Sequence, residues 1–269
     1  MATLHKTQTA GGHWYYPDGT PAHRIPVGDD GETRATTLRD AKRLGLYPSV
    51  TGILNTLDKP ALNDWKMRQC VMACGRLGVH GEVTDDDFRK VKSEAFAQVD
   101  KAADLGSRIH AAIEAYLLRQ EMPVGEMHQY VSPAIEWLCE KGLRILELEK
   151  ILVNTDWGFA GCCDLTFEWG SNGIGVLDWK TRKTYEGRPV RAYDGQDMQI
   201  AAYAGTRWPG RQHEVLCANI IVSTTEPGRV EVLKHDNICS AWAAFCSATT
   251  VWQHQKTYRP QEWTDGNAD

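Results

Sequence analysis

At 269 residues and 30.1 kDa the chain suits one large domain, or one domain with a helical elaboration. A hydrophobic share of 42% beside 24% charged residues is that of an ordinary globular protein, and no apolar run approaches the roughly 18 residues of a membrane span. The formal net charge of −5 argues against a surface that binds polyanions everywhere, and leaves room for a local basic channel. No basic start followed by an apolar core opens the sequence, so the expectation is a cytoplasmic chain without a secretory leader. Its eight cysteines then read as reduced thiols.

Residues 1–46 carry turn-formers and alternating charge, among them Tyr16-Pro17-Asp18-Gly19 and Gly28-Asp29-Asp30-Gly31, and predict an irregular arm or short hairpin. His5, His13 and His23 show no ligand spacing with acids. Helical patterns dominate 47–148. Ser49 reads as the N-cap of a helix carrying Ile53, Leu54 and Leu57, where the hydroxyls of Ser49 and Thr51 suit a phosphate as well as they suit simple capping. A helix over 61–75 holds Trp65, Lys66 and Arg68, and Thr84-Asp85-Asp86-Asp87 caps another with Phe88, Val91, Ala95 and Phe96 at helical spacing. The clearest amphipathic pattern spans 102–120, with Leu105, Ile109, Ile113, Tyr116 and Leu117 as its stripe. His110 and Glu114, four apart, share a face beside that stripe; from spacing alone, both suit ordinary boundary positions. A further helix is predicted over 132–147, running into Ile151-Leu152-Val153 as the first core strand.

Two β-forming runs follow, separated by Gly170-Ser171-Asn172-Gly173, a good hairpin loop. The first holds Asp164 and the second holds Asp178. Side chains two apart on a strand project together, so Asp178 and Lys180 share a face while Leu177 and Trp179 take the other. If the runs pair, both aspartates and the lysine converge at one sheet position. Carboxylates packed together need a cation, and their hard oxygens suit Mg²⁺ or Mn²⁺. The alternative is an amphipathic hairpin with a solvated polar face. Beyond it, Arg182, Lys183, Arg188 and Arg191 make a local basic run, which suits backbone phosphate or plain solvent. A helix over 194–207 puts Gln199 and Tyr203 on one face, where they could bond Lys180, a phosphate or a base, or pack inward. Strands over 215–223 and 229–233 and a helix over 241–253 complete the pattern, with frayed residues at 266–269.

In order, Gly161-Cys162-Cys163-Asp164, then Asp178-Trp179-Lys180-Thr181, then Gln199-Ile200-Ala201-Ala202-Tyr203 resemble the RecB-type, phage-exonuclease branch of the PD-(D/E)XK nuclease superfamily. Upstream, Gly106–Glu114 with His110 and the segment Tyr47–Leu54, followed by Leu62 and Trp65, fit the same pattern, so the resemblance covers roughly 47–235. It implies an α/β, restriction-endonuclease-like core with a mixed central sheet flanked by helices, plus an N-terminal helical elaboration. On that reading 1–46 is an arm and 47–269 one nuclease domain, helical over 47–148 and α/β over 149–255. The implied activity is metal-dependent hydrolysis of DNA phosphodiesters by an exonuclease of phage or prophage recombination and repair. One or two Mg²⁺ or Mn²⁺ ions would be held by Asp164, Asp178, His110 and the Trp179 carbonyl.

Lys180 then positions the attacking water, Gln199 and Tyr203 position substrate or lysine, and Ser49, Thr51, Thr181, Arg182 and Lys183 contact DNA. The context implies a single-strand annealing protein as partner and the host cytoplasm as compartment. An iron–sulfur cluster, known in some members, is not expected, because the clustered C-terminal cysteine spacing is missing around Cys239 and Cys246. Two other readings stand beside this one: a structure-selective or nicking endonuclease on the same fold, and a catalytically silent nucleic-acid-binding module.

Overall fold

The computed structural model describes residues 12–28, 31–119, 121–171 and 173–260. His5, Asp29-Asp30, Asn172 of the expected hairpin loop and residues 266–269 lie outside them. The chain divides into two compact units: Asp58–Pro123, and Met1–Leu57 together with Val124–Asp269. In chain order the elements are β1 (Trp14–Tyr15), β2 (Arg24–Pro26), β3 (Thr33–Ala35), α1 (Leu38–Leu44), β4 (Tyr47–Pro48) and α2 (Val50–Leu54). Next come α3 (Pro60–Leu77), α4 (Asp85–Arg119), α5 (His128–Lys141), β5 (Arg144–Asn154), β6 (Phe159–Trp169) and β7 (Gly173–Arg182). The last are α6 (Gln196–Arg207), β8 (Val215–Ser223), β9 (Val230–His235) and α7 (Ile238–Lys256).

The smaller unit is a helical pair. Pro60 opens α3, where its fixed φ is already helical and its missing N–H costs nothing. Ala73, Val91 and Ala95 are buried between α3 and α4, with Cys70, Cys74, Val79 and Phe96 packed around them. The sequence pattern predicts two helices over 84–96 and 102–120; they are one helix of 35 residues. Thr84 and Asp87 form the reciprocal cap at its start, and the intervening 97–101 holds neither glycine nor proline to interrupt it.

The larger unit is built on a five-stranded sheet in the order β5-β6-β7-β8-β9, in which β7 and β8 are parallel and the other neighbours antiparallel. The β6–β7 hairpin runs Leu165↔Leu177 to Trp169↔Gly173, as the alternating pattern predicts. Parallel pairing of β7 with β8 requires a crossover, which α6 supplies, and α6 packs on β7, β8 and α7 while α5 meets β8 and β9. One apolar core joins Val50, Ile53, Phe159, Val176, Ile200, Tyr203 and Phe245. The first described residues belong to this core, since Trp14, Ala41 and Leu46 are buried in it.

The predicted helix over 132–147 is corrected. Helix α5 ends at Lys141 because Gly142 takes the left-handed conformation (φ 60°), and the following residues extend as β5. No helix among the described residues is long and apolar enough to cross a membrane.

Candidate functional site

Asp164 and Asp178 stand one residue beyond the last ladder pair of β6 and β7, Leu165↔Leu177, so antiparallel register sets them opposite each other. Both are buried. The ladder does not continue there by backbone pairing: the N–H of Trp179 donates instead to Asp164 Oδ2 at 2.8 Å. A side chain thus closes the hairpin's open end and fixes its own carboxylate. Lys180 Nζ is ion-paired with Asp178 Oδ2, as expected for residues two apart on one strand face. The lysine side chain is about one-quarter exposed (26%) and the carboxylate 3%, so the pair spans the boundary between interior and solvent.

Two further residues complete the cluster, and sequence reasoning missed both. Asn219 lies opposite Asp178 in the parallel register of β7 and β8, and its Nδ2 donates to Asp178 Oδ2 at 2.8 Å. It is the polar interruption of an otherwise apolar run, Val-Leu-Cys-Ala-Asn-Ile-Ile-Val, and a buried polar residue is the informative kind. Glu149 falls between the pairs Leu148↔Leu165 and Lys150↔Cys163, opposite Asp164. Carboxylate oxygens of Glu149 and Asp164 lie within 4.8 Å of each other. Its φ of 45° is the left-handed region, rare for a residue with a side chain in a strand. Cys162 Sγ donates to its Oε2 at 3.1 Å. The signal was the Glu147/Glu149 alternation of a strand, hidden by extending the preceding helix.

The field of the cluster is negative. Burial first, and then the charges of Asp178 and Asp164, raise the Tyr203 phenol well above its ordinary pKa; the Gln199 bond acts the other way. Burial and the same two aspartates push the Cys163 thiol up. Gln199 Nε2 donates to Tyr203 Oη at 3.2 Å, so the i, i+4 pair of α6 is bonded to itself. Three carboxylates against one lysine amine favour a cation, and carboxylate oxygens are hard donors that suit a divalent ion. Glu149, Asp164 and Asp178 are the residues that fit a divalent ion of the Mg²⁺ or Mn²⁺ class.

The other expected site residues fall in several places. Trp179 is buried through its indole. Thr181 and Arg182 end β7, half-buried, and Lys183 is exposed in the loop beyond. Ser49 is buried and its Oγ accepts from Gly52 N at 3.0 Å as the cap of α2, while Thr51 is exposed on that helix. His110 and Glu114 lie half-buried on α4 of the smaller unit; the ligand role given to His110 rests on the sequence resemblance.

No family model matches the chain, and no curated protein is similar to it. A solved structure described as the crystal structure of SSO0001 aligns with 70% of this chain and 86% of its own length, at 13% identity and a TM-score of 0.30, a likeness too slight to bear on fold family or chemistry.

Proposed function

We propose that the protein is a metal-dependent deoxyribonuclease of the PD-(D/E)XK type, acting as an exonuclease. The observation that carries this reading is the meeting of Asp164, Asp178 and Lys180 at the open end of the β6–β7 hairpin. Asp164 and Asp178, with Glu149 beside them, would hold Mg²⁺ or Mn²⁺, and the sequence resemblance adds His110 as a nitrogen ligand. A bound divalent ion supplies acidified water and neutralises charge on the scissile phosphate.

The chain's own residues do the positioning. The Trp179 N–H and the Asn219 amide each hold one aspartate carboxylate, so these oxygens need little reorganisation to act. Lys180, shared between Asp178 and solvent, is placed to orient the attacking water and to meet charge growing on the phosphoryl oxygens. Gln199 and Tyr203 stiffen the wall of the site through their mutual bond. The basic residues past β7, beginning with Arg182 and Lys183, suit backbone phosphates.

Digestion of end-labelled linear single- and double-stranded DNA in Mg²⁺, Mn²⁺ or EDTA tests the reading. Cleavage is expected with either metal, not with EDTA, and is expected to fall about 100-fold or more in Asp178→Ala and Lys180→Ala. Lys180→Ala protein cutting at the wild-type rate contradicts the assignment. A covalently closed circle is expected to survive; its cleavage transfers the reading to an endonuclease of the same architecture.

A further inference from the structure

Between β7 and α6 the chain crosses 183–195, and two tyrosines stand out of this loop: Tyr185 is 56% exposed and Tyr193 64%. Each has a guanidinium over its ring. Arg182 Cζ lies 3.8 Å from the Tyr193 centroid, and Arg188 Cζ lies 5.5 Å from that of Tyr185. Two exposed rings each topped by a guanidinium offer flat, cation-backed faces to a π-system.

The loop is not slack. Arg182 Nη1 donates to the Arg191 carbonyl at 2.6 Å, and its Nη2 donates to Gln196 Oε1 at 3.3 Å, the same oxygen that accepts from Tyr193 N at 2.7 Å. Arg229 donates to the carbonyls of Tyr185 and Arg188 at 3.1 and 3.0 Å. Thr225 Oγ1 donates to the Thr184 carbonyl at 2.7 Å. The backbone that carries both tyrosines is therefore held by bonds from β7, α6 and the turn before β9, and little backbone ordering entropy remains to be lost on binding.

The charge of the segment runs against that of the chain. Lys180, Arg182, Lys183, Arg188 and Arg191 face a single acid, Glu186, within 180–191, although the whole protein carries −5. Arg182 donates to two neutral oxygens, and its Nε has no hydrogen-bond partner among the described residues. Strand alternation puts Asp178, Lys180 and Arg182 on one face, with the Arg182 backbone about 13 Å along the strand from that of Asp178.

We propose that Tyr185 and Tyr193, backed by Arg188 and Arg182, form a stacking platform for the unpaired bases of single-stranded DNA leading to the Asp178–Lys180 site. Preset aromatic rings interleaved with cations match the requirements of a single strand, whose bases are free to stack while its phosphates meet guanidinium groups. A blunt duplex keeps its bases paired and offers these rings nothing. The inference rests on the nucleic-acid reading of the site and names its substrate class.

The test is fluorescence anisotropy of a labelled oligothymidylate of about 20 nucleotides against full-length protein in EDTA, where cleavage does not compete. Tyr185→Ala and Tyr193→Ala are each expected to weaken binding about tenfold. The Tyr→Phe variants, which keep the ring and control for folding, are expected to stay within about twofold of wild type. A labelled blunt duplex is expected to bind all of them alike. Wild-type protein that does not bind the oligothymidylate, alanine variants that bind it like wild type, or equal losses on duplex overturn the proposal. A protein that binds the strand through these rings yet cuts no DNA with either metal upholds the platform and removes the nuclease. One that cuts normally with both rings deleted, and binds the strand unchanged, does the reverse.

Discussion

The ring of Tyr203 lies so close to the backbone of β6 that a Cβ added at Gly161 would stand 2.9 Å from Tyr203 Cε1 and 3.1 Å from Val50 Cγ2. That is the physical content of the glycine three residues before Asp164. It lets α6 seat Tyr203, and with it Gln199, against the strand that carries the carboxylate. Gly161→Ala is expected to cost about 1–3 kcal/mol in urea unfolding through overpacking. Trimming the ring with Tyr203→Leu should recover part of that loss in the double variant. Purely additive costs for the two substitutions would show that they do not meet.

Asn219 joins two polar groups inside the sheet. It donates to Asp178 and, through Oδ1, accepts from His235 Nε2 at 2.7 Å, an arrangement that puts the ring proton on Nε2. Removing the amide leaves a buried carboxylate short of a donor, which costs about 1–3 kcal/mol. Asn219→Ala should therefore lower the urea midpoint and slow cleavage at least about tenfold, while Asn219→Asp, adding a like charge beside Asp178, should be worse. Wild-type rates in both variants would strip Asn219 of any positioning role.

Much of this site follows from period-two alternation and turn chemistry. Asp178 and Lys180 had to share a face once 176–180 was a strand, and the Gly170–Gly173 loop all but required the hairpin that sets Asp164 opposite Asp178. Glu149 was hidden because its contribution depends on where α5 ends. The residue that ends it, Gly142, acts through a left-handed φ rather than through any change in apolar pattern. Asn219 was hidden for a different reason: nothing in its own strand says which neighbour it will face, and a parallel pairing across a helix is set by tertiary packing alone. The 35-residue α4 marks a different failure: the apolar stripes ending at Phe96 and starting again at Leu105 read as two helices, although 97–101 carries no glycine or proline to end one.

Glu149 holds its carboxylate near Asp164 from a left-handed backbone, a conformation that costs an L-residue about 1–2 kcal/mol. Such outliers concentrate where function holds them in place. Glu149→Gln should raise the Mn²⁺ or Mg²⁺ concentration needed for half-maximal cleavage by about tenfold or more. Glu149→Gly should do the same without the usual mid-strand glycine penalty of about 0.5–1 kcal/mol, because the strain is relieved. A normal metal requirement in the glutamine variant would leave Glu149 with a structural role only.

His235 gives the sheet a pH dependence of definite sign. Burial lowers its pKa below the ordinary 6.5, against the opposing charges of Asp197 and Asp236, so the folded protein prefers the neutral ring. As pH falls below about 6.5 the unfolded chain takes up a proton first, and stability drops until the folded-state ring also titrates. Above that range the residue contributes no slope. Urea unfolding free energies of wild type and His235→Gln, compared at pH 8 and pH 5, should converge as the solution becomes acidic. Glutamine keeps a donor for Asn219 Oδ1 but takes up no proton. Curves that run parallel across the range would mean that the ring titrates alike in both states, and that its burial beside Asn219 costs the charged form nothing.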